Sequence, residues 1–217
     1  MELTPVQVRV LGCLMEKERT TPDTYPLTMN ALLTACNQTT NRWPVVTLGE
    51  ATVGNAIENL KGLGLLRVVY SRSNRADKYR HVLGEAWGLD DSELAVLGVL
   101  MLRGAQTLAE LRTRTERSHS FAGMDELGAA LNRLAGRDEP LVVDVGRSPG
   151  QKEPRWGHLL GGEVPADGGL PVAESPRSSR SERIDALEAT VTTLGDDVRK
   201  LRADHDALTD RLKGLLD

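Results

Sequence analysis

The chain has 217 residues, 40% of them hydrophobic and only 3% aromatic, with 27 Lys and Arg against 31 Asp and Glu. These proportions fit a soluble globular protein with aliphatic cores, and the net charge of −4 argues against a general nucleic-acid coat. No run approaches the ~18 apolar residues of a membrane span, and Glu2 and Arg9 interrupt the apolar pattern at the N-terminus, so neither export nor membrane insertion is expected. Cys13 and Cys36 stand apart, with no His at metal-ligand spacing, which fits a reduced cytoplasm and no metal or other cofactor. The charge is uneven: residues 1–160 hold 19 basic and 19 acidic residues, whereas 161–217 hold 8 and 12.

In chain order, Thr4 with Pro5 after it predicts a helix start, and Val6, Val10, Cys13 and Leu14 give that helix an apolar face. RTTPDTYP breaks it, LTMNALLTACN predicts a second helix, and NQTTNRWPVV is a polar loop. Thr47 and Glu50 have the spacing of a capping box. Beyond them Val53, Ala56, Ile57 and Leu60 form an apolar stripe, while Thr52, Asn55, Asn59 and Lys61 point away from it. Gly62 and Gly64 end this third helix, and Leu65–Tyr70 and Lys78–Leu83 predict a hairpin around SRSNRAD. Between Arg67 and Arg80 it carries five basic residues and Asp77, a net +4.

The plan then repeats after a short LGEAWGLDD connector, where Asp90 and Asp91 are expected to cap the next helix rather than to catalyse. AVLGVLM at 95–101 echoes RVLGCLM at 9–15, TLAELRTRTER stands for the second helix, and MDELGAALNRLAG, striped by Met124, Leu127, Leu131 and Leu134, stands for the third. PLVVDVGRSPGQKEPRWGHLL closes the unit as strand, wing and strand. The duplication predicts a mainly α fold with small β-hairpins: tandem winged-helix domains over 1–84 and 85–160.

Residues 161–182 hold four Gly, three Pro and four Ser with few large apolar groups, a flexible linker by composition that spans about 25 Å as a random coil. From 183 to 217 a heptad repeat follows. Ile184, Val191, Val198, His205 and Leu212 alternate with Leu187, Leu194, Leu201, Leu208 and Leu215, the pattern of a parallel two-stranded coiled coil and hence of a homodimer. His205 is the polar residue of the seam, read as register control or a tolerated flaw, with a pH-sensitive dimer as the second reading.

EKERTTPDTYPLTMNALLTACNQTTNRWPV at 16–45, with KYRHVL, LRGAQTLAELRTR and RSPGQKEPRWGHLL, resembles the YceH family of bacterial proteins, whose biochemical role is not established. The resemblance covers about residues 1–160. It implies tandem winged helices and brings no catalytic or cofactor site with it.

No phosphate-binding loop, zinc-protease or nucleophile-elbow motif occurs, and the four His are dispersed, so no enzyme is expected. The chemistry expected is contact with duplex DNA by a transcriptional regulator or nucleoid-associated factor. Thr52, Asn55, Asn59 and Lys61 would face bases, and Arg72, Arg75, Lys78 and Arg80 would meet phosphates. The second unit offers Asn132, Arg133 and Arg137, with Arg147, Lys152 and Arg155 on its wing. The alternative is a protein-interaction adaptor or scaffold, which the zero net charge over 1–160 suits equally. In the 37–46 loop, Asn37, Gln38, Asn41, Arg42 and Trp43 form a polar surface with a basic and an aromatic group, which reads either as a recognition loop or, the preferred reading, as structural, with Trp43 and Pro44 plugging the edge of the core. His81 and His158, with Tyr79 and Trp156, are expected to dock each hairpin on its own domain.

Overall fold

The structure, a computed structural model, describes residues 2–70, 76–147 and 153–161, all within the compact unit Met1–Pro171. Every residue of the heptad repeat, from Ile184 to Leu215, lies outside the described residues, as do Arg72, Arg75 and Lys152.

Helix α1 (Pro5–Thr20) starts where the sequence places it. Thr4 Oγ1 accepts from the Gln7 N–H at 3.3 Å, and the Thr4 N–H donates to Gln7 Oε1 at 2.7 Å, so each orphan backbone N–H is satisfied by the other residue's side chain. Strand β1 (Leu27–Thr28) leads into α2 (Met29–Cys36), whose N-cap is Thr28. Next come α3 (Glu50–Gly62) and the hairpin β2 (Leu66–Val69) and β3 (Lys78–His81), in a sheet of order β1-β3-β2. The LGEAWGLDD connector contains a helical turn, α4 (Leu83–Trp87), ended by Gly88 in the left-handed region. The expected boundary at 84 therefore falls inside a helix.

The order then repeats with α5 (Asp91–Arg103), α6 (Leu108–Thr115), α7 (Met124–Ala135) and the hairpin β4 (Val142–Gly146) and β5 (Arg155–His158). Asp90 and Thr107 build the capping boxes of α5 and α6 with Glu93 and Glu110. Where β1 pairs with β3 in the first half, the second keeps one bridge: Gln106 and Trp156 exchange backbone hydrogen bonds of 2.9 and 2.8 Å.

The sequence gives α1 one apolar face; in the structure Gln7 to Met15 are buried all round it. The far side is covered by α5, the helix that repeats its motif. The glycine of each copy admits the methionine of the other. A Cβ on Gly12 would lie 3.3 Å from Met101 Cβ and 3.0 Å from the Leu102 side chain; one on Gly98 would lie 3.6 Å from Met15 Cβ. This reciprocal crossing joins both halves into a single hydrophobic cluster running from Leu3 to Leu160.

Candidate nucleic-acid interface

Helix α3 and the β2–β3 hairpin carry most of the predicted contact residues. The expected capping box of Thr47 and Glu50 does not form: Gly49 is the N-cap, without a side-chain hydrogen bond. Asn37 is the reason. Its Oδ1 accepts from the Leu48 N–H at 2.7 Å and its Nδ2 donates to the Leu48 carbonyl at 2.9 Å, which fixes the extended chain just ahead of the helix. Beyond that point the stripe is as read. Val53, Ala56, Ile57 and Leu60 are buried, and Thr52, Asn55, Asn59 and Lys61 are exposed. Lys61 Nζ lies 3.3 Å from Glu58 Oε2, an i,i+3 pair that leaves both groups in water.

In the hairpin, Arg67 and Arg80 are cross-strand partners, an unfavourable arrangement for like charges. Glu85 of α4 resolves it. Its Oε2 lies 2.9 Å from Arg67 Nη1, and its Oε1 accepts from both Arg80 terminal nitrogens at 3.0 Å. The Arg80 hydrogen bonds, first, and the Arg67 charge hold the Glu85 carboxyl below its usual range. The +4 counted along the hairpin is thus reduced by a carboxylate from the next element. Lys78, half-buried, makes no side-chain hydrogen bond or ion pair among the described residues.

His81 docks the hairpin on α1. The Leu83 N–H donates to His81 Nδ1 at 3.3 Å, which assigns the proton to Nε2, and Nε2 then donates to Glu18 Oε2 at 2.9 Å. Tyr25 Oη accepts from the His81 N–H at 3.0 Å. The Nε2 hydrogen bond from the His81 ring is the largest cause of the lowered Glu18 pKa. The matching His158 is equally buried, yet neither ring nitrogen has a partner among the described residues, and burial alone lowers its pKa to about 4.

The second half uses its basic residues differently. Arg133 on α7 donates to Asp90 Oδ2 at 2.8 Å, Ser92 Oγ at 2.9 Å and Glu93 Oε1 at 3.3 Å. Arg137 donates to the Trp87 carbonyl. Arg155 donates to the Ala105 carbonyl at 2.7 Å and lies 3.2 Å from Glu110 Oε2. Asn132 and Arg147 are exposed. The exposed side of α7 also presents Asp125 and Glu126.

In the loop before α3 the expected roles of two neighbours are exchanged. Trp43 is 58% exposed, and Arg42 is the residue inside, with 0% of its side chain accessible. The guanidinium tolerates burial because its donors find partners: Glu16 Oε1 at 3.0 Å and Oε2 at 2.6 Å, Gln38 Oε1 at 2.8 Å, and the Ala35 and Asn41 carbonyls at 3.0 and 2.9 Å. Burial works against the Glu16 charge, but the Arg42 hydrogen bonds and charge prevail and hold its carboxyl below the ordinary range. Trp43 is tethered through its backbone, N–H to the Leu102 carbonyl at 2.8 Å.

Among the described residues no group of three or more His, Cys, Asp or Glu could hold a metal ion, and no helix is long and apolar enough to cross a membrane. A family model described as "Protein of unknown function, DUF480" matches residues 3–151, from the cap of α1 past β4. The chain belongs to this family. A UPF0502 protein of Pelobacter propionicus is 46% identical over 207 residues, covering 93% of this chain and 94% of the relative. One from Geobacter sulfurreducens is 47% identical over 197 residues, covering 88% and 90%. One from Dechloromonas aromatica is 43% identical over 203 residues, covering 93% of each. The family likeness thus agrees with the YceH resemblance read from the sequence, and alignments over 93% of the chain necessarily take in part of the segment after Gly161.

Proposed function

We propose that this protein is a non-enzymatic duplex-DNA-binding factor, a transcriptional regulator or nucleoid-associated protein, that reads through α3 and positions itself through the β2–β3 hairpin. Each half has the element order of a winged helix, in which the third helix enters the major groove and the hairpin lies along the backbone. The observation that carries this reading is the polar row Thr52, Asn55 and Asn59 on α3, exposed and with no side-chain hydrogen bond or ion pair among the described residues. Amide side chains of this kind pair with adenine edges. Lys61, Lys78 and, on the stretch outside the described residues, Arg72 and Arg75 would meet phosphates; Arg80 would do so only by leaving Glu85. The test is fluorescence anisotropy of a labelled random-sequence duplex at about 50 and about 200 mM salt. Affinity that falls steeply with salt, with Lys78→Ala lowering the salt slope by about 1, supports the reading. Absence of binding at the lower salt refutes it.

The adaptor reading is supported by a different observation: Arg133 and Arg155 are engaged within the chain, while Trp43 and Val45 are exposed apolar groups on one loop. It takes over if DNA does not bind. The homodimer and the cytoplasmic location are part of the same proposal. The dimer rests on the heptads from Ile184 to Leu215, and a chain truncated after Gly161 is expected to sediment as a monomer. Persistence of the dimer would place the contact elsewhere.

A further inference from the structure

Between the last turn of α1, the outer face of α5 and the end of α6 lies a cleft of about 280 Å³. Met15, Leu94, Val99 and Leu102 make its apolar floor, with Gly98 among the lining residues. Four arginines line it: Arg19, Arg103, Arg114 and Arg117. Its two carboxylates are already engaged, Glu16 by Arg42 and Glu18 by His81. Arg19 pairs with Asp91, and Arg114 lies 3.4 Å from Glu110; like Arg103, both sit in last helical turns, where cations commonly complement the helix dipole. Arg103 and Arg117 remain. Arg103 bonds to the neutral amide oxygen of Asn41, and Arg117 makes no hydrogen bond or ion pair among the described residues. Burial, first, and then the neighbouring Arg114 hold the Arg103 guanidinium below its ordinary pKa. The cleft therefore joins an apolar floor to two cations, neither of them bonded to a carboxylate among the described residues.

We propose that this cleft binds a small organic anion, an apolar body carrying one carboxylate or phosphate that Arg103 and Arg117 hold at the rim. The volume suits a body of about ten non-hydrogen atoms, near the lower end of ligand pockets. The site bridges both halves, and it stands independently of the DNA reading. Phenylacetate, phenyl phosphate and hexanoate, each titrated into the full-length protein and followed by amide chemical shifts, serve as probes, with phenylacetamide as the uncharged control. The expected result is saturable shifts at Gly98, Val99 and Leu102 from at least one anion, with phenylacetamide weaker by about tenfold or more. Arg103→Ala with Arg117→Ala should weaken the anion by at least as much, and Val99→Trp, which fills the floor while keeping both cations, should abolish binding. Three anions that leave those amides unmoved, or an amide that binds as well as its acid, would overturn the proposal. The wild-type comparison of acid and amide holds even if the double variant folds poorly.

Discussion

The two halves repeat one plan and spend their polar residues in opposite ways. In the first, α3 turns Thr52, Asn55 and Asn59 outward with no partner side chain among the described residues, and the hairpin is fastened from behind by His81 and Glu18. In the second, Arg133 and Arg155 are bonded to the caps and loops of α5 and α6, and the His158 ring is buried without a hydrogen bond among the described residues. A duplicated fold can keep one copy as a surface and turn the other into support: Thr52, Asn55 and Asn59 of α3 bond to no side chain among the described residues, whereas Arg133 on the matching helix fastens the cap of α5.

The largest expected break in this comparison is at Arg42, whose loop links α2 to α3 in the first half. Arg42→Ala leaves Glu16 and two backbone carbonyls without their donor, and should cost about 3–5 kcal/mol in urea denaturation. A loss below about 1 kcal/mol would mean that water replaces the guanidinium at little cost. Next comes acid. His158 has its folded pKa depressed from 6.5 to about 4, so the unfolded chain binds the proton more readily. The stability it confers is present above about pH 6.5 and lost as pH falls toward 4, on the order of 3 kcal/mol. His158→Leu should flatten that limb of the stability–pH curve; an unchanged limb would assign it to other groups.

The α1–α5 crossing separates the halves more finely. Gly12→Val meets Leu102 and Met101 at once and should destabilise by about 2 kcal/mol, whereas Gly98→Ala meets Met15 at ordinary contact distance and should gain up to about 1 kcal/mol from helix propensity. Equal responses in thermal melts would show that the crossing is more symmetric than these contact distances make it. The smallest stability effect belongs to the exposed row: Asn55→Ala with Asn59→Ala should stay within about 0.5 kcal/mol of the parent while weakening DNA. Arg133→Ala should do the reverse, costing about 1 kcal/mol and leaving DNA affinity intact. A drop in DNA affinity for Arg133→Ala would put α7 on the interface as well.

What could be read from the sequence was what neighbours decide. The caps at Thr4, Asp90 and Thr107 each find their partner three residues away, and the stripe of α3 is a matter of helical period alone. What could not be read depends on distant partners. Arg42 meets Glu16 across 26 residues and Arg133 meets Asp90 across 43, so a polar loop gave no sign that its arginine would be buried and its tryptophan left outside. The Thr47–Glu50 spacing was a true local signal overruled by Asn37, which binds Leu48 from eleven residues earlier. The arginines of the second half carried no mark that their charge would be used within the chain.

The reciprocal fit of Gly12 and Met101 with Gly98 and Met15 has the form of a two-fold interface between identical subunits, written here inside one polypeptide. Covalent linkage makes that pairing unimolecular, so it forms at any dilution. A fragment holding either half alone would carry the mating surface uncovered, and its folded form would depend on concentration, because the stripe of α1 or α5 would have to find its complement in a second molecule.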